Sequence, residues 1–140
     1  MYEISGIALE IIVIIKIFAA WIFFHFPFFI ILPLACLILN IDQEKTYLLM
    51  FTFLISSPII TNILSISSSM NLLNEKNFTI GSLIVMLFSI PIIIFSVNMI
   101  NLSEEFFYPQ MNILLGILLL FLSITPWVCS ACIKISIRNK

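Results

Sequence analysis

The stretch Ile17–Leu39, IFAAWIFFHFPFFIILPLACLIL, decides the fold class of this chain. It runs for 23 residues without an Asp, Glu, Lys or Arg, and a helix of about 20 apolar residues is long enough to cross the hydrocarbon core of a bilayer. Across the chain, 62% of the 140 residues are hydrophobic and only 9% are charged, whereas soluble domains have about 25% charged residues. The sequence therefore predicts a membrane protein.

Three further apolar runs follow, separated by short polar breaks. They predict an all-α, polytopic transmembrane domain over residues 1–140, with helices at about residues 17–39, 47–66, 80–100 and 112–133. The apolar stretch from Ile7 is too long for one perpendicular span. We expect residues 1–16 to lie at the interface or to extend the first helix; a break near Pro27 and Pro33 is the alternative.

The placement of charge predicts the orientation. The tail of residues 134–140 has three basic and no acidic residues, and Lys and Arg near span ends are retained on the cytoplasmic side. Four spans then place both termini, with the Glu75–Lys76 break, in the cytoplasm or the mitochondrial matrix. The acidic breaks at Asp42–Lys45 and Glu104–Pro109 are expected on the opposite side.

Small polar side chains recur along the second run at every fourth residue and therefore share one helix face. They are Ser57, Thr61, Ser65 and Ser69, here called the polar stripe. Small residues at this spacing let membrane helices approach closely, which favours a packing face; the alternative is the polar wall of a substrate path. For a packing face, Leu at Thr61 or Ser65 should disturb assembly more than Leu at Ile60 or Ile63.

No motif for catalysis or nucleotide binding is present. Gly6, Gly81 and Gly116 stand too far apart to build a phosphate loop. His25 is the single histidine, with no acid nearby in sequence to orient it as a catalytic base. We therefore predict no catalytic residue and no nucleotide site on this chain.

Three polar groups carry open alternatives. His25 can ligate a haem iron or a metal, or hydrogen-bond a carbonyl freed by Pro27. Cys129 and Cys132 can form a metal or redox pair, but packing as small apolar side chains is favoured, and no metal site is predicted. Lys16 is interpreted as an anchor whose ammonium group reaches the headgroups; contact with a cytoplasmic partner is the alternative.

Several sequence markers occur in a characteristic order. The first run contains Lys16-Ile-Phe-Ala-Ala-Trp21 and closes with Ile41-Asp42, and the last run ends in Ile133-Lys134-Ile135-Ser136. The first run resembles the third span, and the last segment the C-terminal motif, of the CcmB family of haem exporter proteins. The positions that match the family's motifs are Lys16, Trp21, Pro27, Pro33, Pro58, Pro91 and Pro126.

The chain also departs from the family pattern. Leu87 stands where the family usually has a proline, and Ala20 where it often has a histidine, so His25 inherits no family role. The positions of Cys129 and Cys132 usually hold small residues, which agrees with packing. The family has six spans, so we expect this chain to be a C-terminal portion, through truncation, a split gene or a misplaced start.

The resemblance implies the C-terminal part of an ABC-2-type six-helix permease in a haem exporter that serves cytochrome c maturation. It implies two protein partners, an ABC ATP-binding subunit and a small haem-handling membrane subunit, besides membrane lipid and no nucleic acid. Haem is implied as a transported or handled ligand and not as a resident cofactor. The expected location is the bacterial inner membrane, or the mitochondrial inner membrane. The alternative function is a non-transporting assembly or scaffold protein.

Overall fold

The computed structural model describes residues 8–73, 79–101 and 104–138, and these residues form four helices. They are α1 (Leu9–Ile38), α2 (Gln43–Leu73), α3 (Thr79–Asn101) and α4 (Glu104–Arg138). Each is long and apolar enough to cross a membrane, and no strand occurs in the described ranges. The prediction of an all-α polytopic membrane protein is therefore confirmed. Residues 1–7, the Glu75–Lys76 break and the last two residues of the tail lie outside the description.

The helices extend beyond the apolar runs. α1 begins at Leu9 and continues through Pro27 and Pro33 to Ile38, so residues 9–16 extend the first helix and the chain does not break at the prolines. α4 begins at Glu104, so the segment of residues 104–109, expected as a loop, is helical. Continuing the helix keeps backbone N–H and C=O groups hydrogen-bonded where the chain leaves the apolar layer.

A tight turn reverses the chain between α1 and α2. Asn40 has a φ of 51°, in the left-handed region that Asn tolerates better than most residues. The Ile41 N–H bonds to the Cys36 carbonyl at 3.0 Å, and the Asn40 N–H to the Leu37 carbonyl at 3.2 Å, which is the Schellman pattern. The Asp42 carbonyl then accepts the Thr46 N–H at 3.0 Å. The two helices are therefore antiparallel neighbours.

α2 is the central helix and packs against the other three. In its most apolar part 44% of the residues are buried, compared with 6% in α1. The apolar core joins Ile59 and Ile63 of α2 to Ile92 of α3 and Leu114 of α4. Ile63 is 1% exposed, so it belongs to the packed core and cannot serve as an unpacked control for substitutions in the polar stripe.

The bundle has an apolar outside and a partly polar inside. Large apolar side chains are exposed along α1, α3 and α4, a surface that would promote association in water. Most of the described polar side chains that are buried belong to α2: Thr52, Ser56, Ser57, Thr61, Asn62, Ser67 and Ser69. This distribution is typical of helices that pack through small polar residues within lipid.

Polar contacts bring three helix ends together. The Lys134 ammonium lies 2.8 Å from a Glu10 carboxylate oxygen, which also accepts the Ser130 hydroxyl at 3.2 Å. The Ser136 hydroxyl donates to the Leu72 carbonyl at 3.3 Å. The start of α1 and the ends of α2 and α4 therefore share one end of the bundle, here called the Lys134 end. The turn at Asn40 marks the opposite end.

Candidate functional site

α1 and α2 contact each other through side chains that pair at successive helical turns. Trp21 Nε1 donates to Ser57 Oγ at 2.9 Å. One turn further along α1, the His25 ring packs against Phe53, with ring centroids 5.8 Å apart. Four residues forward on α1 thus correspond to four residues back on α2, which is the register of two antiparallel helices. The Trp21–Ser57 hydrogen bond is the polar contact of this series.

A cavity of about 430 Å³ lies between α1, α2 and α4; we call it the Trp21 cavity. Ligand sites commonly have volumes of about 300–1,000 Å³ and mostly apolar walls. Three of the positions predicted from the sequence to match family motifs line this cavity, namely Trp21, Pro58 and Pro126. The remaining lining residues are Ile14, Ile17, Phe18, Leu54, Thr61, Asn62, Leu118 and Leu122.

A second cavity, of about 470 Å³, lies between the same three helices; we call it the Lys16 cavity. Three polar-stripe residues, Thr61, Ser65 and Ser69, line it. So do Lys16, which matches a family motif, and His25. The wall is completed by Val13, Ile17, Ala20, Phe24, Leu64, Ser68, Leu72, Cys129 and Ile133. Ile17 and Thr61 belong to both cavities.

The polar stripe donates most of its hydroxyl hydrogens within α2. Thr61 donates to the Ser57 carbonyl at 3.0 Å, Ser65 to the Thr61 carbonyl at 2.8 Å, and Ser69 to the Ser65 carbonyl at 2.8 Å. Because these hydroxyl hydrogens are already donated within α2, the stripe offers mainly acceptor lone pairs to the Lys16 cavity. These oxygens carry no charge, so they can only accept hydrogen bonds from a ligand.

Pro58 weakens α2 beside the Trp21 cavity. It has no N–H, so the Leu54 carbonyl loses its usual helical partner. The Asn62 side chain donates to the Pro58 carbonyl at 2.8 Å, which leaves Asn62 satisfied although it is 2% exposed. Asn62 was not among the predicted site residues, although its position four residues after a mid-span proline is a signal that could have identified it.

The remaining motif positions do not join these cavities. Pro27, Pro33 and Pro91 are absent from both walls. The His25 Nδ1 atom lies 3.2 Å from the Trp21 carbonyl, not from the Phe23 carbonyl that Pro27 frees. Because a carbonyl only accepts, this contact requires the proton on Nδ1.

The cysteines are free and buried. Cys129 and Cys132 are 2% and 8% exposed, as expected for small apolar side chains. Within the described ranges, no three His, Cys, Asp or Glu side chains cluster as metal ligands would.

The close approach of α3 to α2 is a further feature that was not predicted from the sequence. A Cβ on Gly81 would lie 2.6 Å from both Asn71 Oδ1 and Ser67 Oγ, well inside van der Waals contact. Beside this contact, a polar cleft of about 810 Å³ opens between the two helices, lined in part by Ser68, Ser82 and Ser89. An isolated Gly next to a loop carries no periodic signal, so only the fold reveals its role.

Comparison with known proteins identifies the family of this chain. The family model described as CcmB protein matches residues 2–136. The chain belongs to the CcmB family. It is 24% identical over 126 residues to heme exporter protein B of Haemophilus influenzae, a match that covers 89% of this chain and 57% of that relative. This CcmB-family chain therefore spans little more than half the length of that relative, and the family resemblance read from its motifs is confirmed.

Proposed function

We propose that this chain is a membrane permease subunit of an ABC-type haem exporter that acts in cytochrome c maturation. The observation that carries the proposal is the meeting of Trp21, Pro58 and Pro126 in one cavity. These three positions lie on three different helices, so local structure does not explain why they line one cavity. A common ligand or transport path would explain it. The family match and the name of the Haemophilus relative support haem as the cargo.

The two cavities fit different parts of a haem-like cargo. Haem is a flat apolar macrocycle that carries carboxylates at one edge. The Trp21 cavity offers aromatic and aliphatic walls for the macrocycle, while the Lys16 cavity adds the positive charge of Lys16, which suits the carboxylates. In this proposal, the polar stripe is the wall of a path as well as a packing face.

The proposed complex places ATP hydrolysis on a separate ABC ATP-binding subunit, with a small haem-handling membrane subunit as a further partner. The proposed location is the inner membrane of a bacterium or a mitochondrion, and the Lys134 end faces the cytoplasm or the matrix. The basic residues at the end of α4 support this orientation, because Lys and Arg are retained on the cytoplasmic side. The start of α1 lies at the same end, where Glu10 pairs with Lys134.

A second candidate is a non-transporting scaffold. The weak burial of α1 and α3 favours it, since 6% and 11% of the residues in their most apolar parts are buried, and such faces can pack against other subunits. A scaffold has no need of the Trp21 cavity, which separates the two candidates.

The experiment compares the two tryptophans. We expect Trp21→Ala to lower the amount of haem covalently attached to c-type cytochromes, and Trp127→Ala to leave it unchanged, because Trp127 is 71% exposed and lines neither cavity. The host lacks its own CcmB-family subunit and expresses the chain alone or behind the first two spans of a six-span relative. Equal effects of the two substitutions at equal protein levels would contradict a role for the cavity.

A further inference from the structure

We propose that Trp21 and Ser57 form a latch that keeps the Trp21 cavity and the Lys16 cavity apart, and that opening the latch joins them into one space. The latch is the hydrogen bond from Trp21 Nε1 to Ser57 Oγ, 2.9 Å long. Its use in transport rests on the proposed function. Its existence as a partition depends only on the contact between α1 and α2.

The partition follows from the residues that the cavities share. Ile17 and Thr61 line both, so the seam between these two side chains divides one space from the other. Trp21 lies one turn from Ile17 along α1, and Ser57 lies one turn from Thr61 along α2. The hydrogen bond therefore lies one helical turn from Ile17 and Thr61, at the edge of the Trp21 cavity, and in this proposal it holds α1 and α2 together at that level.

The latch stands at a weakly packed point. Among the described side chains of α1, only Val13 and Cys36 are buried, and Trp21 itself is half-buried. Cavities flank the seam on both sides, so a turning indole meets fewer packed atoms than it would in a filled core. The rotation that breaks the bond is opposed by the bond and by the contact of the indole with the Phe18 ring, whose centroid lies 5.8 Å away.

The α2 side of the latch is also deformable. Ser57 precedes Pro58, which removes one backbone hydrogen bond at this level, and helices bend preferentially at proline. Side chains of Thr61 and Asn62 bond to the carbonyls of Ser57 and Pro58 and can follow such a bend. A change in the curvature of α2 would move the acceptor of the latch directly.

The first test observes the hydrogen bond itself. The chain has two tryptophans, so its ¹H–¹⁵N spectrum in lipid nanodiscs contains two indole signals, and Trp127→Phe assigns them. We expect Ser57→Ala to shift the Trp21 signal and to speed its exchange with D₂O by up to about tenfold, as the loss of one hydrogen bond allows. Ser65→Ala is the matched control, because Ser65 bonds within α2 and should leave the signal unchanged. Equal shifts in the two variants would overturn the latch.

The second test asks whether the cavities join. Leu122 lines the Trp21 cavity and Cys129 the Lys16 cavity, about 10 Å apart along α4. In a Cys36→Ala, Cys132→Ala background with Leu122→Cys, a bis-maleimide of that span should bridge the two thiols in Ser57→Ala or Trp21→Phe protein, and not in the parent or in Ser65→Ala. Equal bridging in all variants, or none after the Trp21 signal has shifted, would overturn the partition. If both tests succeed while Trp21→Ala leaves cytochrome maturation intact, the proposed function fails and the latch stands.

Discussion

At the scale of single residues, the hydroxyl groups of α2 divide by what they bond. Thr61 and Ser65 donate to carbonyls of their own helix, whereas Ser57 accepts the indole N–H of α1. The sequence predicts that these residues share a face, because a four-residue spacing is a local property. It does not predict which of them meets Trp21, because that depends on the register between two helices.

The close contacts of Gly81 were likewise not predictable from the sequence. Its neighbours Ser67 and Asn71 are close only because α3 folds back along α2. We expect Gly81→Ala to lower the free energy of unfolding by about 1 kcal/mol and Gly81→Val by up to about 3 kcal/mol, the usual range for overpacking. The Ser67 hydroxyl and the Asn71 amide can turn away from one methyl group, which explains the smaller value for Ala. Denaturant unfolding in detergent micelles measures both.

Gly116 provides the control for that prediction. A Cβ there would meet no atom within 4 Å, so Gly116→Ala should leave stability unchanged or raise it slightly, because Ala is the better helix former. A larger loss at Gly116 than at Gly81 would contradict the close approach of α2 and α3.

The polar stripe gives a second prediction at this scale. Thr61 is 6% exposed and Leu64 is 48% exposed. Thr61→Leu should lower the yield of folded protein, because it adds volume and removes a hydroxyl at a buried contact, at a cost of about 1–3 kcal/mol. Leu64→Ile is the matched control, because Leu64 is exposed on the same helix. A substitution at Ile63 would not serve, because Ile63 lies in the core. Size-exclusion profiles of the two variants decide; equal profiles would count against Thr61 as a packing residue.

At the scale of elements, the four apolar runs predict the existence and order of the helices but not their ends. Hydropathy reports the part of a helix that lies in lipid, whereas the helix itself continues until its backbone groups find other partners. α4 thus includes Glu104 and Pro109, and α1 includes Glu10. The turn at Asn40 ends α1 through backbone hydrogen bonds. The local sequence signal for this end is the asparagine itself, which tolerates a left-handed backbone.

α1 is attached at its start by charge. Glu10 bonds to Lys134 and Ser130, and so little of α1 is buried that this contact should hold its first turns. We expect Glu10→Lys to speed amide hydrogen exchange in residues 9–16, because two cations then face each other. The double variant Glu10→Lys, Lys134→Glu should restore slow exchange. Lack of rescue by the reversed pair would show that the first turns of α1 are held by something else.

At the scale of the whole molecule, an apolar surface encloses an interior with many small polar groups. The composition predicts this class of protein, and the family motifs predict which positions matter. Neither predicts that Trp21, Pro58 and Pro126 share one wall, because proline and tryptophan leave no pattern that specifies a partner helix. Long-range packing around α2 provides that information.

Orientation is the first prediction for the whole molecule. Reporter fusions at Lys140 should be active on the cytoplasmic or matrix side, and fusions near Glu105 on the opposite side, because Lys and Arg are retained inside. The shared Lys134 end of α1 and α4 requires that a reporter ahead of Leu9 behave like the one at Lys140. An external signal from the Lys140 fusion would overturn this topology.

ATP turnover tests the proposed permease role most directly. The chain is expressed with the ABC ATP-binding subunit encoded in the same genome, in the presence and absence of the first two spans of a six-span relative, and the purified membrane complex is placed in nanodiscs. We predict that the ATP-binding subunit co-purifies with the chain and that its ATP turnover depends on the chain and falls with Trp21→Ala but not with Trp127→Ala. Co-purification with turnover that is independent of the chain would identify a scaffold and contradict the permease.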